Sequence, residues 1–145
     1  GFACNGVVAP GGIGDSSCLP FQYTAKYIWS LHAGYETDLG DRTGKLSLFV
    51  NYSHSSSQST EAVQMLVLQP GAILDGFGLL SASLDLKNVA GGPVDVGVFG
   101  TNLTNETFRI SNTDVFQQGG LLYWSTLYGE PRMYGVRVKV HFGGN

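Results

Sequence analysis

The chain has 145 residues, of which 13% are charged, for a net charge of −3. That balance excludes a basic nucleic-acid binder and an acidic disordered tail, and no apolar run approaches the roughly 20 residues of a spanning helix. Its 21 glycines weigh against a helical bundle, because each interior glycine costs about 1 kcal/mol relative to alanine. Its 7 Tyr, 8 Phe and 2 Trp favour strands. An all-β chain is expected.

The opening stretch GFACNGVVAPGGIGDSSC reads as a loop already under way, with no initiator Met, basic n-region or signal-like apolar core. It suggests a C-terminal fragment of something longer, or a processed product, and residues 1–22 are expected to form a loop. Cys4 and Cys18 both lie in it. A zinc site needs four ligands, and no CxxC or nearby His pair supplies them. A disulfide closing the loop is the expected reading, which implies an oxidising compartment; two unpaired thiols are the alternative. GGIG (11–14) lacks the strand-to-helix setting of a phosphate loop.

Five segments then alternate with period two, the signature of strands with two unlike faces. The first, about 27–39, puts Tyr27, Trp29, Leu31, Ala33 and Tyr35 against Ile28, Ser30, His32, Gly34 and Glu36. After the turn LGDRTG (39–44), the second puts Leu46, Leu48, Val50 and Tyr52 against Lys45, Ser47, Phe49, Asn51 and Ser53. The third puts Leu80, Ala82, Leu84 and Leu86 against Leu79, Ser81, Ser83, Asp85 and Lys87. Past the turn NVAGGP (88–93), the fourth puts Val94, Val96 and Val98 against Asp95, Gly97 and Phe99, and loses its alternation near Asn102. The fifth puts Tyr134, Val136, Val138, Val140 and Phe142 against Met133, Gly135, Arg137, Lys139 and His141.

A soluble sandwich and a membrane barrel both predict alternation, so the connections must separate them. They run long, short, long, short, long, the long ones being the opening stretch, 55–76 and 111–128. Outer-membrane barrels have this asymmetry of short periplasmic turns and long extracellular loops; soluble sandwiches do not. With the chain ending on the periplasmic side, Tyr27, Trp29, Tyr52 and Tyr134 fall near the outer end of the apolar face, and Tyr35 and Phe142 near the inner end. Leu31, Leu48, Val50, Leu84, Val136 and Val138 lie between. Two aromatic girdles around an aliphatic band are what a lipid-facing wall requires. Five strands cannot close such a barrel, so the expected architecture is an up-and-down meander of its last five strands, over residues 23–143, with 144–145 as a tail.

The strings VDVGVFGTNLTNETFR (94–109) and YGEPRMYGVRVKVHFG (128–143) resemble the C-terminal end of TonB-dependent outer-membrane receptors, and TAKYIWSLHAGYETDLG (24–40) is similar to an upstream strand of the same barrels, with Ala25 in place of a common Pro. The shared motif comprises Asn102, Leu103, Gly129, Glu130, Pro131 and Arg132. The resemblance implies a 22-stranded barrel plugged by an N-terminal domain. Such a receptor sits in the outer membrane of a Gram-negative bacterium and imports a scarce nutrient (siderophore, vitamin or saccharide class) with energy relayed by TonB. Its implied partners are outer-membrane lipid and lipopolysaccharide, the receptor's own plug domain and through it TonB, and the barrel-assembly machinery, which reads the terminal aromatic mapping to Phe142. Here three further residues follow that aromatic.

No catalytic constellation emerges: His32, His54 and His141 have no acid or nucleophile at recurring spacing. No enzyme, cofactor, metal or nucleic-acid role is expected, and the substrate-binding residues are left unknown. The sequons at Asn51, Asn102 and Asn105 match N-x-S/T, but such matches arise by chance; NLTN more plainly marks where a strand bulges or leaves the membrane. Arg132 has two open readings. By parity it shares the lipid-facing side with Tyr134 near the outer rim, where an arginine costs about 0–1 kcal/mol rather than about 2–4 at mid-bilayer, and there it meets lipopolysaccharide phosphates. Alternatively, a bulge at Pro131 turns it inward to pair with Glu130 or another carboxylate. The apolar stretch EAVQMLVLQPGAIL (61–74) is expected to extend strands rather than fold over the barrel mouth. The competing function is an extracellular β-sandwich binding or adhesin module, in which the apolar face is a protein core.

Overall fold

In the computed structural model the described residues are 17, 21–40, 42–60, 72–114 and 124–142. Among these residues nine strands occur in order: β1 (Ile28–Asp38), β2 (Lys45–Ser55), β3 (Gln58–Ser59), β4 (Ile73–Leu74), β5 (Phe77–Lys87), β6 (Val94–Thr101), β7 (Arg109–Asp114), β8 (Trp124–Tyr128) and β9 (Met133–Val140). No α-helix occurs among the described residues, and no helix is long and apolar enough to cross a membrane. The protein is all-β, built of antiparallel sheets.

The long strands are the five read from alternation, and they form one sheet in the order β1-β2-β5-β6-β9. Each pairs with its sequential long neighbour, which is the meander expected from the short turns. The registers of the last three fix the faces. Leu84 stands opposite Val98, and Val98 opposite Val136; Leu86, Val96 and Val138 form the next row, and Ala82, Gly100 and Tyr134 the one before. On the other face Asp85, Gly97 and Arg137 share a row, and Asp95 faces Lys139. The turn 88–93 is a single 3-10 turn at Val89–Gly91.

The chain divides into two compact units, one of Gly1–Ile28, Ser55–Phe77 and Phe108–Gly129, the other of Trp29–His54, Gly78–Thr107 and Glu130–Asn145. The first holds the only buried apolar side chains among the described residues, Ala72 and Leu74, exposed 0% and 1%. It is built from two short antiparallel ladders, β3 on β4 and β7 on β8. Arg109 of β7 donates to the Ile73 carbonyl at 3.1 Å and pairs with Asp75 at 2.7 Å. The Tyr23 hydroxyl donates to the Asn112 carbonyl at 3.1 Å, and Phe77 stacks on Phe108 with ring centroids 4.2 Å apart.

Both long connections therefore differ from plain loops. In the first, Gln58 faces Leu74 and Ser59 faces Ile73 in a two-stranded sheet of their own, and most of 61–74 lies outside the described residues. In the second, Ser111–Asp114 face Trp124–Leu127. Sequence alternation misses β3 and β4 because two residues carry no period, and β7 because its register shifts between Arg109 and Ser111. The second unit has no buried apolar side chain at all among its described residues. Its sheet is a single layer.

Candidate functional site: the two faces of the sheet

The polar face carries ion pairs that reach past a neighbouring strand. Arg137 Nη2 lies 2.6 Å from Asp85 Oδ1, bridging from β9 to β5 over β6. Two inter-strand spacings are about 10 Å, too far for these side chains if a third stood between them. Gly97 occupies that middle position in register with both. A Cβ there would fall on the Asp85 carboxylate, so glycine is what opens the path. Lys87 on β5 likewise reaches Glu36 on β1 past β2, at 2.8 Å. Asp95 accepts from the Asn88 backbone N–H at 2.9 Å and meets His141 Nε2 at 2.7 Å. His32 stacks on Phe49 and exchanges a hydrogen bond with Ser30 at 3.1 Å. These histidines sit in polar-face contacts, and no group of metal-binding side chains occurs among the described residues.

The apolar face has no protein cover among the described residues. Val136, Val138, Leu31 and Leu84 are exposed along it, and Tyr134 is 81% exposed. Trp29 and Tyr52 are neighbours with ring centroids 5.3 Å apart, and His54 joins them at 5.6 Å from Trp29. The Tyr52 ring lies over Gly78, whose missing side chain makes room for it. Tyr27 and Tyr35 are exposed, and so is Phe142, which stands just past the end of β9 rather than within it.

The motif residues come together through Asn102. Strand β6 ends at Thr101, and Asn102 is left-handed (φ 49) and 3% exposed. Its Nδ2 donates to the Glu106 carbonyl at 2.8 Å and the Glu130 carbonyl at 3.1 Å, while its Oδ1 accepts from the Glu106 N–H at 2.8 Å. One side chain thus ties the NLTN string to the GEPR string, and NLTN marks where β6 leaves the sheet. Leu103 N–H bonds back to the Leu80 carbonyl at 2.8 Å, with its side chain over Gly100. Gly129 lies under the Phe108 ring, where any Cβ would strike the ring, and donates its N–H to the Phe108 carbonyl at 2.9 Å.

Arg132 is exposed, immediately before β9. The four ion pairs among the described residues include neither Arg132 nor Glu130, so inward pairing with Glu130 is not found. Cys4 and Cys18 lie outside the described residues. Of the residues that matter most to the polar face, sequence reading passed over Gly97 and the reach from Asp85 to Arg137. The usable signal was a glycine within an otherwise regular strand, a mark of close approach. No family model, curated protein or solved structure matches this chain.

Proposed function

We propose that this chain is the C-terminal wall of a TonB-dependent receptor barrel in a bacterial outer membrane, and that the whole receptor imports a scarce nutrient. The observation that carries this reading is the single-layer sheet whose apolar rows (Leu84–Val98–Val136 and Leu86–Val96–Val138) have no protein cover among the described residues. In water such a face is a liability; in a bilayer it is the required outer surface. The polar face, with charges paired across strands, suits a water-filled or protein-filled lumen.

The aromatics add support: Trp29 and Tyr52 lie together on the apolar face and Tyr134 is strongly exposed on it, as the aromatic girdle of a membrane-barrel wall requires.

Spin labels on the full protein in bilayers test the reading. Cysteines placed at Leu84 and Val138 should collide with oxygen and be shielded from a polar nickel relaxant, with the reverse at Ser83 and Lys139. Labels at Leu84 and Val138 shielded from both reagents would mean a covering protein layer and favour the extracellular sandwich instead. Labels there open to the polar relaxant would remove both readings.

A further inference from the structure

The polar face carries two aromatic rings that its charges and serines do not explain. Phe49 on β2 and Phe99 on β6 are both exposed there. β5 runs between their strands, so the two positions stand about 10 Å apart across the sheet. Ser83 of β5 faces Phe99 in register. Tyr52 lies over Gly78, so Phe49, three residues before Tyr52, comes beside Ser81. Each ring has a glycine on its far side: Phe49 lies beside Gly34, and Phe99 lies over Gly135. The rings therefore lean apart, and the strip above the two serines stays open. His32 stacks on Phe49 and widens that platform.

Charge on this face is matched, and it lies nearer the 88–93 turn. Arg137 cancels Asp85, Lys87 cancels Glu36, and Asp95 stands opposite Lys139 while meeting His141. A ligand held by its charge finds no excess of either sign. A covering protein surface would call for a continuous apolar patch, whereas Ser81 and Ser83 keep these two rings apart. Aromatic walls with a few placed hydroxyls suit a molecule that has C–H faces and hydroxyl edges. We propose that Phe49 and Phe99 are the rests for a neutral oligosaccharide on the polar face, with Ser81 and Ser83 exchanging hydrogen bonds with its hydroxyls. The inference rests on the polar face being the lumen of a transport barrel, and it names the substrate class as saccharide and the wall residues that touch it.

The test is calorimetric titration of the full protein in detergent with maltohexaose, cellohexaose and xylohexaose, and with an oligogalacturonate of the same length. One of the three neutral glycans should bind, and the acidic one should bind more weakly. Phe49→Ala and Phe99→Ala should each weaken binding by about tenfold, as for loss of one stacked ring. Phe49→Tyr and Phe99→Tyr should retain it, and so should Tyr134→Ala on the opposite face. Heat-modified gel mobility checks that each variant is folded. Failure of all three neutral glycans overturns the proposal. So does affinity unchanged in both alanine variants, or equal affinity for the oligogalacturonate. The spin labels at Leu84 and Val138 separate the two failures. If they report lipid while no glycan binds, only the saccharide site is lost and the membrane wall stands; if they report a covering protein layer while both rings still matter to glycan binding, the site stands and the transport reading falls.

Discussion

Asn102 shows how one residue can be legible as a motif and opaque as a cause. Its place in NLTN marks it in the sequence, but its work depends on Glu130, 28 positions away, and no local pattern exposes that distance. Asn102→Ala removes three hydrogen bonds at a nearly buried site and puts a β-carbon residue without a compensating side chain into left-handed backbone. Unfolding of the full protein in detergent should show a loss of about 1–3 kcal/mol, the cost of buried groups left unpaired. Asn102→Asp keeps the acceptor but loses both donations, and brings a carboxylate against two carbonyls; it should be no better than alanine. A variant Asn102→Ala as stable as the parent would mean that the clamp is incidental. Gly129 makes the complementary case. Its neighbour Phe108 comes from another strand-end, so only the structure shows why Gly129→Ala should cost about 1–3 kcal/mol through overpacking.

At the scale of elements, the five long strands were legible because each is at least eight residues long and alternates with period two over most of its length. Their order followed from the short turns at 39–44 and 88–93. The minor ladders were not legible: β7, RISNTD, is mostly polar and bulged, and its pairing is decided by Tyr23, Asn112 and Thr126 instead of an apolar stripe. Thr126 Oγ1 donates to Asn112 Oδ1 at 2.7 Å. The polar face was legible in composition but not in reach, since pairing across two strands needs the register and the gap at Gly97. Gly97→Val should therefore separate Asp85 from Arg137 while leaving the strand order intact. A double-mutant cycle between positions 85 and 137 should give a coupling of about 0–1 kcal/mol in the parent, as for exposed pairs, and none in the Gly97→Val background. Coupling that persists there would show that the bridge does not need the gap.

For the whole molecule, the deciding quantity is apolar burial: among the described residues only Ala72 and Leu74 are buried apolar side chains, whereas a domain stable in water rests on extensive apolar burial. Expression without detergent or membrane should give insoluble material, checked by sedimentation; a soluble, monomeric, cooperatively unfolding chain would sink the membrane assignment. The opening stretch carries a separate expectation. If Cys4 and Cys18 are bridged, neither should take up a thiol reagent in the unreduced protein, and the loop gains about 3 kcal/mol of constraint by the chain-entropy account. Labelling of both would remove the bridge. The resemblance to the receptors rests on strings at 24–40, 94–109 and 128–143, and its physical content reduces to the Asn102 tie and the two-faced meander.

That tie has a consequence for how such a chain can vary. Because Asn102 grips the Glu130 carbonyl, the two ends of the excursion between β6 and β9 are held at this neck, and the pairing of the two strands starts from Thr101 and Met133. Lengthening the excursion adds only slowly to the entropy of a loop whose ends are already held. An epitope or a foreign binding loop grafted between 115 and 123 should be displayed without disturbing the sheet that carries it, while the same insertion between 101 and 106 should break the neck and the strand register together.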